Sequence, residues 1–218
     1  MTPIETRWFL IESTGIAPVG DGVPAFADAI LDDLAARLDV TLEGWTRPRL
    51  VLGADRSEVV GDTVRVEAKE ARGSCSEVDW LELLLRHELT HLLIERHWGM
   101  APTLFWEGVP VHLGDDFVRQ RLHGRDYADR CRELAASGRL LNFEGLIAPD
   151  AYYRRRSDYR VDMQAGAFCG WLLDVDPGGL RRLFAIWPDD PSNTQAALVS
   201  CFGVGLGELE TGWRGSLV

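Results

Sequence analysis

The pattern of hydrophobic and polar positions changes character along the chain. Early on, short apolar runs sit between polar and turn-forming stretches. Trp8 to Glu12 reads as a strand, Ala25 to Leu38 as an amphipathic helix, and Leu50 to Leu52 and Thr63 to Glu67 as two further strands. The last of these alternates Val64 and Val66 with polar residues, and Gly61-Asp62 ahead of it is a turn signal. Helical spacing then takes over, with a helix over about Ser76 to Trp98, another through residue 107 to about Gly124, and a third over Tyr127 to Ala136. Gly138 to Arg160 reads as a loop-rich connector. From Asp162 onward the pattern predicts three short helices, broken at Pro177-Gly-Gly and between Pro188 and Pro191. The chain therefore predicts an α+β fold, with a small sheet early and a mainly helical C-terminal half. No repeat or low-complexity segment interrupts it.

One helix carries polar residues where apolar ones belong. His87-Glu-Leu-Thr-His91 lies between Leu83-Leu-Leu85 and Leu92-Leu-Ile94. In a helix, H-E-x-x-H sets two imidazoles one turn apart on one face, where both can reach a single zinc ion with the Glu beside the metal-bound water. A buried helix with incidental polar residues is the plain alternative. At about 100° per residue, Asp79, Glu82, Arg86, Thr90 and His97 share a stripe expected to face solvent. His87, Glu88 and His91 fall on the far side, flanked by Trp80 and Leu84, and point inward, where unpaired polar groups are expensive. A metal removes that cost for the imidazoles. Ser76 followed by Asp79 resembles a capping box that starts this helix, and Gly99 suits its end.

A catalytic zinc needs a third protein ligand. Glu107 is the best candidate, as the only acidic residue between Gly99 and Gly114, with Leu104, Phe105, Trp106, Val109 and Val111 around it. His112, five residues on, is the other. Gly108 is expected to let this segment approach the H-E-x-x-H helix closely. Pro110 is tolerable if Glu107 lies in the first turn of its helix.

With His87-Glu-Leu-Thr-His91, fifteen intervening residues and then Trp106-Glu107-Gly108, the chain resembles the gluzincin zinc metallopeptidases, and more narrowly the small peptidase MA-like domains. Gln164-Ala-Gly-Ala-Phe-Cys-Gly-Trp-Leu172 is similar to a later helix of those domains, and Gly203 to Trp213 to their closing helix. The resemblance implies a zincin-like fold, with a small twisted mixed sheet packed on the H-E-x-x-H helix. It implies His87, His91 and Glu107 as Zn2+ ligands and Glu88 as general base. It also implies an edge strand that aligns an extended substrate by main-chain pairing, for which Val64 to Glu67 is the expected segment. Where the family often carries a Tyr, this chain has Asp162. The donor that stabilises an oxyanion is therefore expected among nearby tyrosines, Tyr159 first and Tyr153 second. Asp115, Asp116 or Glu95 are candidates to orient a ligand His from outside the coordination sphere.

Composition frames this reading. With 218 residues and 46% hydrophobic content, one well-packed domain is expected, in two lobes: 1–99 with sheet and motif helix, and 100–218 carrying the third ligand. No run is apolar enough for a membrane span, and the N-terminus lacks the basic lead and apolar core of a signal peptide, so a cytoplasmic location is expected. Cys75, Cys131, Cys169 and Cys201 show no C-x-x-C spacing and read as free thiols. A net charge of −11 disfavours nucleic acid and anionic membranes as partners. Arg154-Arg155-Arg156 reads as a solvated face, with a clamp for a substrate carboxylate as the lesser alternative. The expected function is a zinc-dependent hydrolase, a metallopeptidase acting on a peptide or small amide by Glu-assisted attack of zinc-bound water. The alternatives are a zincin-fold enzyme acting on a small metabolite, and a zinc-binding domain without peptidase activity.

Overall fold

Alternation along the strands gives the sheet one buried face. β1 (Ile4–Glu5), β2 (Leu10–Ser13), β3 (Arg49–Ala54), β4 (Glu58–Val60) and β5 (Thr63–Glu67) form a mixed five-stranded sheet in the order β1-β2-β3-β5-β4. The inner strands β2, β3 and β5 run parallel, and β1 and β4 pair antiparallel at the edges. Register sets Ile11 beside Leu50, Leu50 beside Val64 and Leu52 beside Val66, and none of the five is more than 5% exposed. The opposite face carries Glu12 paired with Arg49, and Glu58 paired with Arg65. The computed structural model describes residues 2–14, 22–67, 76–187 and 193–218. It divides into two compact units, Met1–Leu93 and Ile94–Val218, with the division inside the helix that carries the H-E-x-x-H motif.

In the first unit, α1 (Val23–Leu38) makes the crossover between parallel β2 and β3. Its buried residues Ala27, Ile30, Leu31, Leu34 and Leu38 recur at helical spacing, the stripe expected of a helix covering a sheet. Thr6 Oγ1 donates to Asp28 Oδ1 at 2.7 Å and Trp8 Nε1 to Asp32 Oδ1 at 2.9 Å, which ties the lead-in of β2 to this helix. Gly61 (φ 55°) and Asp62 make a two-residue hairpin turn between β4 and β5. That hairpin corrects one expectation. The segment Val64 to Glu67 is no edge, because β5 is paired on both sides; the three-residue strand β4 covers its outer flank, and was too short to read from its pattern.

α2 (Glu77–His97) starts and stops as its ends predict. Ser76 Oγ donates to Asp79 Oδ2 at 2.6 Å while the Asp79 amide donates to Ser76 Oγ at 3.1 Å, a reciprocal cap. At the other end the amides of Trp98 and Gly99 both reach the Ile94 carbonyl, and Gly99 takes φ 104°.

The second unit continues with α3 (Thr103–Val111), a π-helical turn over His112–Asp116, α4 (Phe117–His123) and α5 (Tyr127–Ala136). α6 (Pro149–Arg154), α7 (Arg160–Val175), α8 (Pro177–Ile186), α9 (Thr194–Phe202) and α10 (Leu206–Ser216) follow. The expected connector thus contains a helix, α6, and the C-terminal stretch holds four helices where three were expected, because Gly203 (φ 74°) ends α9 early. The expected break at Pro188 to Pro191 lies outside the described residues. α7 is the unit's axis: α3, α5 and α8 pack on it. Phe105, Phe143, Phe168 and Trp213 form an aromatic core around it, with the Phe143 and Phe168 ring centres 4.6 Å apart. Pro110 sits in the last turn of α3 rather than the first, where it withholds one helical N–H, and the backbone relaxes into the π turn that follows. Among the described residues Cys131, Cys169 and Cys201 are free and buried; Cys75 lies outside them. No helix among the described residues is long and apolar enough to cross a membrane.

Candidate metal centre

His87 and His91 occupy successive turns of α2, with ring centres 5.0 Å apart and ring planes at 71°. They are 8% and 7% exposed, and Glu88 between them is 7% exposed. The inward placement of these three follows from the stripe pattern, but the opposite stripe does not behave as expected. Glu82, Arg86 and Thr90 are buried too, at no more than 5% exposure, so the middle of α2 has no solvent face. Pairing makes that affordable. Arg86 donates to Glu82 Oε1 at 2.9 Å and to Asp33 Oδ2 of α1 at 2.7 Å, and Thr90 Oγ1 donates to the Arg86 carbonyl at 2.7 Å. His97 and Glu95, past these turns, are exposed.

Glu107 lies on α3 and is 5% exposed. The Tyr153 hydroxyl donates to its Oε1 at 2.7 Å, and Arg156 Nη2 lies 3.8 Å from its Oε2. Arg156 Nε is also 3.8 Å from Asp162 Oδ2, and the buried Tyr152 hydroxyl donates to Asp162 Oδ1 at 2.9 Å. Burial and the charge of Glu107 push the Tyr153 hydroxyl well above its ordinary range, so it is held as a donor. Burial likewise raises Asp162, against the opposing pull of Tyr152 and Arg156. Burial works against the charge of Arg156, but Glu107 and Asp162 outweigh it.

One donor atom from each of His87, His91 and Glu107 lies within 4.8 Å of the others. Two imidazoles and a carboxylate, all buried, are a donor set that zinc accepts, and a fourth position would remain for a small ligand. His112 is not in this group. Its ring packs where a Cβ on Gly170 would stand, 2.7 Å from Nδ1, and its Nδ1 faces Asp116 Oδ2 at 3.6 Å. Asp116 is also held by the Tyr127 amide at 2.6 Å, so its described contacts are within the helical unit. Burial, and after it the nearby charge of Asp115, raise the Tyr127 hydroxyl above its ordinary range. Tyr159 is 57% exposed and lines a groove with Arg119, Tyr127, Arg130 and Met163. Of the two tyrosines expected as donors, Tyr153 is the one in contact with Glu107.

Gly108 serves a close approach to α7: a Cβ there would lie 2.5 Å from Cys169 Sγ and 2.7 Å from the Ala165 carbonyl oxygen. Sequence reasoning missed the part played by Arg156, whose triple-arginine setting signals solvent, and by Tyr152. The available signal was the Tyr-Tyr pair followed by Arg156 and Asp162, legible only once α6 is recognised as a helix. The chain is thus an α+β protein with a candidate metal-binding group. Scans of family models, of curated proteins and of solved structures each found no match to it.

Proposed function

We propose that this chain is a zinc-dependent hydrolase of the gluzincin type, cleaving a peptide or amide bond on a zincin-like fold. The observation that carries the reading is the grouping of His87, His91 and Glu107 donors within 4.8 Å, all buried, with the buried Glu88 between the two His residues on α2. When bound, zinc supplies Lewis acidity, which lowers the pKa of water towards ~7 and polarises a carbonyl. The protein's part is to hold and to move protons. His87 and His91 present their imidazoles from a helix whose capped start and buried middle fix their direction. Glu107 contributes negative charge, which moderates the acidity that zinc confers and gives a proton acceptor more to do. Glu88 takes that role: a buried carboxylate about 60° around α2 from His91 accepts the proton of an attacking water and returns it to the leaving amine. The resemblance of the two motifs to peptidase MA-like domains supports amide chemistry over other hydrolyses.

The test pairs metal content with turnover. The purified protein is expected to carry one zinc per chain and to cleave members of a mixed peptide library. Glu88→Gln keeps shape and metal but removes the acceptor, so cleavage should fall at least ~10²-fold with zinc content unchanged. Full turnover in that variant removes Glu88 as the base, and a wild-type protein without zinc removes the whole reading.

A further inference from the structure

Glu107 is held from outside the metal-binding group, and the way it is held has a function of its own. A carboxylate at 5% exposure is costly to bury unless its oxygens are engaged. Here both ends are. The Tyr153 hydroxyl donates to Oε1 at 2.7 Å, a charge-assisted hydrogen bond, and the Arg156 guanidinium stands 3.8 Å from Oε2. Arg156 is itself steadied from behind by Asp162 at 3.8 Å, and Asp162 by the Tyr152 hydroxyl at 2.9 Å. The charges therefore alternate from Glu107 through Arg156 to Asp162, and the ends of the chain are tied to α3 and α7. The middle comes from α6 and the residues just after it. Tyr152 is fully buried while Tyr153 beside it is 47% exposed, so the first anchors the segment and the second is spent on Glu107.

We infer that Tyr153 and Arg156, backed by Asp162 and Tyr152, form a clamp of positioning residues that fixes the Glu107 carboxylate and sets its strength as a metal ligand. The inference rests on the reading of Glu107 as a ligand. Fixing one rotamer of Glu107 before metal arrives removes an ordering cost from binding, a gain that outweighs the charge the two donors draw from the carboxylate, which leaves the metal more electrophilic. Losing the clamp should therefore change both the affinity and the electronic environment of the ion.

The test measures metal directly, by zinc competition against a chromophoric chelator and by the visible spectrum of the Co2+-substituted protein. Tyr153→Phe keeps the ring and deletes the hydroxyl at a half-exposed site, so folding should survive. Its zinc affinity should drop about 10- to 100-fold, with a shifted cobalt spectrum. Arg156→Met should weaken zinc in the same sense, whereas Arg156→Lys, which keeps a point charge, should recover most of the loss. A role confined to folding predicts a lowered unfolding midpoint in Tyr153→Phe with the cobalt spectrum unmoved. That result, or wild-type affinity in both Tyr153→Phe and Arg156→Met, overturns the clamp while leaving the metal reading intact. A wild-type protein that takes up neither zinc nor cobalt overturns both.

Discussion

Glu107 and His112 are close in sequence and far apart in what surrounds them, and at the scale of single residues that difference favours Glu107 as third ligand of the proposed metal site. Five helical steps of about 100° turn His112 roughly 140° away from Glu107. One side of α3 then carries a carboxylate with a donor atom near both imidazoles of α2, and the other carries a ring laid against α7 at Gly170. Glu107→Ala is accordingly expected to weaken zinc by more than the ~10- to 100-fold that an outer partner is worth, and His112→Ala to leave zinc bound. Chelator competition on the two variants decides it. The reverse order would move the site to three imidazoles, a more positive centre with a more acidic water, and the gluzincin label would go with it.

At the scale of elements, the contact that positions Glu107 is α3 on α7. Gly108, Gly166 and Gly170 each lack the Cβ that this packing has no room for: Gly166 meets the Val111 side chain, and Gly170 meets the His112 ring. Adding one methyl at Gly108 would press on the Ala165 carbonyl at 2.7 Å, and a backbone group cannot rotate away as a side-chain end can. Gly108→Ala should therefore destabilise the protein by about 1–3 kcal/mol despite the better helix propensity of Ala. Gly207→Ala in α10, where a Cβ meets nothing within 4 Å, should be neutral or mildly stabilising. Denaturant midpoints of the two variants make the comparison. Equal midpoints would mean that α3 is not seated on α7 as closely as described.

For the molecule as a whole, the proposed metal site predicts that metal and stability are coupled. An ion that binds only the folded chain stabilises it by about 2.7 kcal/mol at a free concentration of 100 Kd. For a chain of this size that is roughly a 5–11 °C rise in Tm. Calorimetry with zinc against a chelator should show that rise in the wild type and not in His91→Ala. With a net charge of −11 the surface can also gather cations loosely, so magnesium serves as the control and should give little shift. An undiminished zinc shift in His91→Ala would locate the stabilising ion elsewhere.

The sequence by itself carried whatever is written locally. The caps at Ser76 and Gly99, the i, i+4 spacing of His87 and His91, the Val64–Val66 alternation and the Gly61-Asp62 turn each depend on residues a few positions apart, where backbone geometry alone sets what faces what. α+β character followed from the same periodicities. Only the tertiary structure decided questions that turn on what lies across a gap. The stripe of Glu82, Arg86 and Thr90 reads as a solvent face because charged residues usually are one, and it is buried because Asp33, fifty-three positions away, completes the pairing of Arg86. β5 is internal because a three-residue strand, too short to show a period, folds back beside it. Gly108 meets α7 at Ala165 and Cys169, and the half-exposed Arg156 stands 3.8 Å from Glu107, because packing distances between elements are fixed by residues that no local pattern links. Helical spacing could name Glu107 as a candidate ligand, but its hold by Tyr153, forty-six residues on, became visible only in the folded chain.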